Sequence, residues 1–308
     1  MTSSRWFLLA FAAALALLPQ LPVPEFWVTQ LNYIGLYALV VIGLVLLTGI
    51  AGLTSFGQAA FVGIGAYSSA WLTLNLGLSP WLAVFGGLAL TALAALLLGW
   101  ITLRMSGHYL PLATIAWCLS LYYLFGNLEA LGRYDGLLGI APLSVFGLPL
   151  NTGRSFFYLL WALVMLAALA ANFLLWRTTL GFRWRIAGAS PSAARYVAIS
   201  PARTVFGIMG TAGALAGLAG AIECLGVHYR LIEGFSAGFG FNAVAVALMG
   251  GLHPLYVIPA ALFFGFLETG ALAMQRQVGV PSSLVLVIQG LTMVFVLASL
   301  GRAGGEKV

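Results

Sequence analysis

Between Glu25 and Arg104 the chain contains no Asp, Glu, Lys or Arg. A charge at the centre of a membrane span costs about 2.5–3.5 kcal/mol on the insertion scale, and a bilayer core asks for roughly 20 apolar residues per helix. A charge-free stretch of this length holds three such spans. The rest of the 308 residues follow suit: 62% are hydrophobic and 6% charged, with a mean hydropathy of +1.06. A soluble domain carries about 25% charged residues, so the sequence predicts an all-α, polytopic integral membrane protein.

Apolar runs bounded by Gly, Pro or charge predict helices at about 6–22, 30–50, 57–76, 81–103, 108–126, 156–176, 204–224, 254–274 and 282–300. A shorter, glycine-interrupted run at 240–252 reads as a short or broken membrane helix, making about ten crossings. The first run follows Arg5 like a signal peptide, but no A-x-A cleavage site ends it. Its exit through Pro19, Pro22 and Pro24 suits a turn after a retained helix. No linker or composition shift divides the chain, which reads as one membrane domain over 1–308.

Charge sets the orientation. The segment 177–203 holds Arg177, Arg183, Arg185, Arg195 and Arg203 and no acid, so the positive-inside rule places it in the cytoplasm. Counting back through the helices puts Arg5 and Arg104 inside, with Glu25, Glu129 and Asp135 outside. Counting forward puts Arg302 and Lys307 inside if 240–252 crosses, leaving both termini cytoplasmic. The net charge of +6 is explained by topology; the dense, aromatic-interleaved basic surface of a nucleic-acid binder is missing.

Each half of the chain has a glycine-broken segment, Gly52 to Gly65 and Gly234 to Gly251, running in opposite senses by this topology. Paired interruptions of that kind point to a transport site near the midplane. In the first, Thr54, Ser55 and Gln58 offer polar groups that lipid would penalise, while Gly63 and Gly65 permit close backbone approach. Plain helix packing asks for the same glycines. Ionisable groups inside spans are candidates for function; these are Glu223, near the outer end of its helix, and Glu268, which lies deeper. Asn242 and Gln289 are their uncharged counterparts. An interhelical hydrogen bond is the alternative role for each.

The run Gly52–Phe61 (GLTSFGQAAF) with Gly63–Tyr67 (GIGAY) resembles the signature of LivM-like permeases, membrane subunits of ABC importers for branched-chain and related hydrophobic amino acids. Gly107–Trp117, Tyr134–Pro142 and Ala214–Ala221 resemble further family segments in the same order. The C-terminal third, Gly226–Asn242 with Ala245–Gly251 and Gly279–Ser283, is more similar to nucleoside-type ABC permeases of the same superfamily. The resemblance implies the ABC importer permease fold in a bacterial inner membrane. It also implies separate ATPase subunits, a second permease subunit in a heterodimer, and an external solute-binding protein. The solute it implies is a branched-chain or other hydrophobic amino acid, with a nucleoside as the alternative.

By the same resemblance, 177–203 is the coupling segment that meets the ATPase, through Arg183, Arg185, Ala193, Ala194 and Arg195. Ser190-Pro191 there is a helix-start signal. The family has a glycine a few residues beyond its paired alanines, where this chain has Ala198. Asp135 and Gly136, in the external glycine-rich loop, are candidates for binding-protein contact, though an ordinary turn would use them too.

Enzyme chemistry finds no support in the sequence. Lys307 is the one lysine, and no G-x-x-x-x-G-K-[ST] loop exists to cradle ATP. ATP is therefore left to partner subunits, and no cofactor is expected in this chain. His108, His228 and His253 lack metal-ligand spacing, and Cys118 and Cys224 read as packed small hydrophobes. An ion-coupled secondary transporter is the rival from another class, and the scarcity of acids weighs against it.

Overall fold

The computed structural model describes residues 24–102, 109–145, 148–150, 152–232, 234–236 and 238–279, together with Gln20 and isolated positions between 281 and 298. The expected helices 6–22 and 282–300 lie outside the continuously described residues. So do Arg5, Arg104, His108, Gln289, Arg302 and Lys307. Within them, eight longer or membrane-embedded helices form: α1 Glu25–Leu44, α2 Gln58–Leu76, α3 Pro80–Thr102, α4 Tyr109–Asn127, α5 Gly153–Arg177, α8 Pro201–Glu223, α9 Phe239–Met249 and α10 Val257–Val278. Two short helices, α6 Thr179–Ala189 and α7 Pro191–Tyr196, follow α5. Four two-residue strands pair as β1 (Leu137–Leu138) with β4 (Arg230–Leu231) and β2 (Ser144–Val145) with β3 (Leu148–Pro149).

Six of these helical stretches are long and apolar enough to cross a bilayer. The 19-residue α2 is not among them, because Gln58, Ser68, Ser69, Thr73 and Asn75 dilute its apolar character. Its hydroxyls fold back on their own helix: Ser69 Oγ donates to the Gly65 carbonyl at 2.7 Å and Thr73 Oγ1 to Ser69 at 2.8 Å. Inside hydrocarbon such internal partners are what makes a hydroxyl tolerable.

α1 is the axis of the bundle. It is apolar on every side, as a helix surrounded by protein must be, and 72% of its most apolar window is buried, against 17% for α4. Beside it α2, α3 and α8 meet almost backbone to backbone. A Cβ at Gly65 would lie 2.1 Å from the Gly217 carbonyl oxygen, one at Gly220 2.0 Å from that of Val62, and one at Gly213 2.3 Å from the Ala95 methyl. Small residues at such crossings let dispersion replace the hydrophobic driving force that lipid removes. On the periphery, Phe85, Leu93 and Leu97 of α3 and Leu166 and Phe173 of α5 point outward, as lipid-facing residues would.

The two faces follow from contacts. Asn32 Nδ2 donates to the Gly153 carbonyl at 2.9 Å, Trp81 Nε1 donates to that of Ser144 at 2.6 Å, and β1 pairs with β4. These gather Glu25, Glu129 and Asp135 on one face. On the other, Gly188 of α6 lies against the Ile50 carbonyl and Leu252 against Gly49. The arginine-bearing segment and the three acids therefore sit on opposite faces, as the charge pattern requires.

Both glycine-broken crossings are part helix and part extended chain. α1 ends in widened turns, with the Ala51 and Leu53 amides reaching back to the Leu46 and Leu47 carbonyls, and 51–57 runs non-helically into α2. The second crossing enters as non-helical chain after His228. It reaches the level of Tyr37, about 18 Å along α1 from Glu25, where Tyr37 Oη donates to the Gly238 carbonyl at 3.0 Å. α9, 11 residues and so about 16 Å long, completes the passage. The helix in the segment 240–252 thus covers only the half of the passage nearer the face of α6 and α7.

The segment 177–203 is more ordered than an open loop. Thr178 caps α6, its hydroxyl accepting the Gly181 N–H at 3.1 Å, and Ser190 caps α7, accepting the Ala193 N–H at 3.3 Å with Pro191 in the first turn. α7 ends with the Ile199 amide on the Ala194 carbonyl (2.9 Å) and the Ala198 amide on that of Arg195 (3.2 Å). That pattern needs a left-handed residue between them, and Ala198 supplies it at φ 57°. The turn forms here without a glycine. Left-handed backbone costs an L-residue about 1–2 kcal/mol. Ala198→Gly should therefore raise the thermal unfolding midpoint of the detergent-solubilised chain and Ala198→Val lower it. Two unchanged midpoints would show the turn to be unstrained.

Candidate functional site

On the face that carries Glu129 and Asp135, the chain from Leu128 to Val145 lies over the non-helical entry to the second crossing. Leu137 pairs with Leu231 and Leu138 with Arg230, while Tyr229 Oη donates to the Leu150 carbonyl at 2.9 Å. Gly136 makes the junction possible. Its backbone (φ 76°, ψ −163°) is a conformation essentially restricted to glycine, and a Cβ there would fall 1.8 Å from the Leu231 carbonyl oxygen. The neighbouring Asp135 is exposed. Of the two candidates for an external contact, Asp135 is available at the surface, whereas Gly136 fastens one loop to another.

Beneath this cover the two interrupted crossings meet. The Phe56 carbonyl abuts Gly240, where a Cβ would come within 2.5 Å, and the rings of Phe56 and Phe241 lie 4.9 Å apart. Around them opens a cleft of about 350 Å³ between α2, α4 and the 232–241 stretch. Tyr67 and Phe125 stack at 4.6 Å in its wall, and the edge of Phe125 reaches to 2.8 Å of where a Gly63 Cβ would sit. Tyr122 and Phe235 add further rings, and Ser236 a hydroxyl. Among the described lining residues none carries a charge.

A second cavity, of about 400 Å³, lies across the Phe235–Gly238 wall, between α1, α8, α9 and α10. Here Glu223, Asn242 and Glu268 converge, three of the residues singled out by sequence. The Glu223 side chain is 4% exposed; its Oε1 stands 3.5 Å from His228 Nε2, and its Oε2 has no hydrogen-bond partner among the described residues. Tyr33 Oη reaches the same His228 nitrogen at 3.4 Å. Nearby, Thr269 Oγ1 donates to Gln30 Oε1 at 3.3 Å.

The other pathway candidates lie elsewhere. Thr54 is exposed, and Ser55 is buried with its hydroxyl accepting the Gly57 N–H at 3.1 Å. Gln58 is fully buried, with neither amide atom partnered among the described residues. Gly63 backs the aromatic cleft, while Gly65 faces α8 and serves close packing. On the opposite face Arg183, Ala193 and Arg195 are exposed, joined by Tyr196 at 92%. Ala194 is fully buried and anchors the cap of α7. Arg185 turns back, its guanidinium 4.4 Å above the Trp176 ring.

Sequence reasoning missed the aromatic wall, since Phe and Tyr are unremarkable in a membrane span. It also gave His228 no role, weighing it only as a metal ligand. In an ordinary helix, residues five apart point about 140° away from each other. The widened turn at Cys224–His228, closed by the Tyr229 amide on the Cys224 carbonyl at 3.0 Å, turns His228 back over Glu223.

A bundle of apolar helices in which two interrupted crossings meet at a cleft is the architecture of a membrane permease. The chain belongs to the family described as the permease component of the branched-chain amino acid transport system, whose model matches residues 26–297. Among its relatives is the guanosine ABC transporter permease protein NupP of Bacillus subtilis, 38% identical over 44% of this chain and 39% of that protein. The glucose ABC transporter permease protein TsgB13 of Haloferax volcanii is 29% identical over 81% of this chain and 70% of its own. The high-affinity branched-chain amino acid permease protein LivM of Escherichia coli is 26% identical over 72% and 58%. The chain thus spans about two fifths of NupP. No solved structure matches it. The family and these relatives are transport permeases, not enzymes.

Gly136→Ala should release the external loop from β4. In hydrogen-exchange mass spectrometry the amides of 137–138 and 230–231 would then lose protection while α1 and α8 keep theirs. Undiminished protection would contradict the role given to this glycine.

Proposed function

We propose that this chain is the translocating subunit of an ATP-driven importer, and that its solute is a nucleoside or a similarly planar, uncharged molecule. The observation that carries the substrate reading is the cleft where the interrupted crossings meet, ringed by Phe56, Tyr67, Tyr122, Phe125, Phe235 and Phe241. Base–aromatic stacking contributes about 1–3 kcal/mol per base, and Ser236 can hydrogen-bond a ribose or base edge. That moves the reading from the amino acid, first suggested by the signature at Gly52–Tyr67, to the nucleoside suggested by the C-terminal third. The guanosine permease relative supports the same choice.

The driving force comes from elsewhere, since the sequence has no phosphate-binding loop. The exposed end of α7, with Arg183 and Arg195 nearby and Tyr196 at its tip, is the docking point for a separate ATPase. The opposite face, bearing Asp135, receives a solute-binding protein, and a second permease subunit completes the route. By the charge pattern the α7 face is cytoplasmic, in the inner membrane of a bacterial cell. Closure of the ATPase would then bias the bundle between two states through differential contacts.

The test is uptake into liposomes holding the chain with its second permease, its ATPase and its binding protein. Guanosine should accumulate only with ATP, and Phe241→Ala should lower the rate at least tenfold at equal protein yield, matching the loss of about 1.4 kcal/mol of stacking. Uptake of leucine but not guanosine would overturn the substrate. Accumulation without the ATPase would overturn the mechanism and favour an ion-coupled carrier. A Tyr196→Cys variant should crosslink to the ATPase and not to the binding protein.

A further inference from the structure

The second cavity has a chemistry unlike the cleft. Its wall carries two carboxylates, Glu223 and Glu268, and the side-chain amide of Asn242. No Lys or Arg is among its described lining residues, and His228 is already shared between Glu223 and Tyr33. Acceptors are therefore in excess. The Oε2 atom of the buried Glu223 makes no hydrogen bond among the described residues, and Glu268 shares the wall with Tyr37. A metal ion is a poor fit, because no group of three His, Cys, Asp or Glu side chains gathers among the described residues.

The remaining walls are aromatic. Tyr37 stacks on Phe239 with centroids 4.8 Å apart, and Phe264 tilts toward the same tyrosine at 6.3 Å. Ring faces attract cations through their quadrupole, most strongly where water is excluded. Carboxylates accept N–H bonds, and charge-assisted bonds of that kind are short and strong. A carbon-bearing cation satisfies both demands at once: its alkyl part lies on the rings while its N–H groups meet Glu268, Asn242 and Glu223. We infer that this chamber is a binding site for an organic ammonium group, separate from the solute cleft and divided from it by the Phe235–Gly238 wall. The ammonium belongs either to a free alkylamine or to the headgroup of phosphatidylethanolamine.

The inference does not depend on the nucleoside reading, and the experiment keeps the two apart. The full-length chain in phosphatidylglycerol nanodiscs, which contain no amine, is titrated calorimetrically with n-butylammonium and with its neutral isostere n-butanol. Saturable binding of the amine and none of the alcohol is expected from the wild type. Glu268→Gln should weaken amine binding at least tenfold, a readout that needs neither the ATPase nor the transported solute. Replacing part of the phosphatidylglycerol with phosphatidylethanolamine separates the sources: competition with butylammonium assigns the site to the lipid headgroup, and its absence assigns it to a free amine. Equal binding of amine and alcohol by the wild type, or no saturable amine binding, would overturn the inference without need of any variant. So would undiminished binding by a well-folded Glu268→Gln protein.

Discussion

Everything in this bundle depends on how closely α2, α3 and α8 approach. Within the bilayer, burying an apolar side chain gains little, since lipid tails are as apolar as the side chain itself. What holds helices together there is contact, and contact is greatest where backbones touch. Gly65 against Gly217, Gly220 against Val62 and Gly213 against Ala95 bring three helices to that limit. Each glycine leaves space that any Cβ would have to take from a neighbouring carbonyl or methyl. The three helices so locked form the scaffold against which the less regular segments are set.

Those segments carry the chemistry. Because α2 starts within the bilayer and α9 also starts there, heading the opposite way, their first residues come together, and the rings of Phe56 and Phe241 become neighbours. Two cavities result, one aromatic, the other bearing two carboxylates, with Phe235 and Gly238 lining both. Neither could be assembled from uninterrupted helices, which would fill the same volume with their own side chains.

Much of this was legible beforehand. The helices followed from apolar run length, the opposed faces from arginine placement, and the start of α7 from Ser190-Pro191, whose hydroxyl and ring act as local rules predict. The convergence of Glu223, Asn242 and Glu268 was foreshadowed only as a shared rarity, polar residues inside spans. What stayed hidden depended on departures from regular geometry. A helix read at 100° per residue cannot place His228 over Glu223; the widened turn does. Gly65 and Gly136 looked alike as candidates for function, yet one answers to a facing helix and the other to a loop carbonyl. Ala198 shows the converse: tertiary demand holds an alanine in a conformation that its identity argues against.

The non-helical chain entering the second crossing has one more implication. Backbone amides and carbonyls without helical partners cannot be turned toward hydrocarbon. The flank of the molecule along Tyr229–Ile232 and Gly234–Ser236 is therefore shielded from the acyl chains, by neighbouring protein or by a wet passage. The flanks of α3 and α5, studded with Phe85, Leu93, Leu166 and Phe173, can meet lipid freely. The subunit thus has a dry side and a side that must be covered or hydrated, and that asymmetry dictates how it can be oriented within any larger assembly.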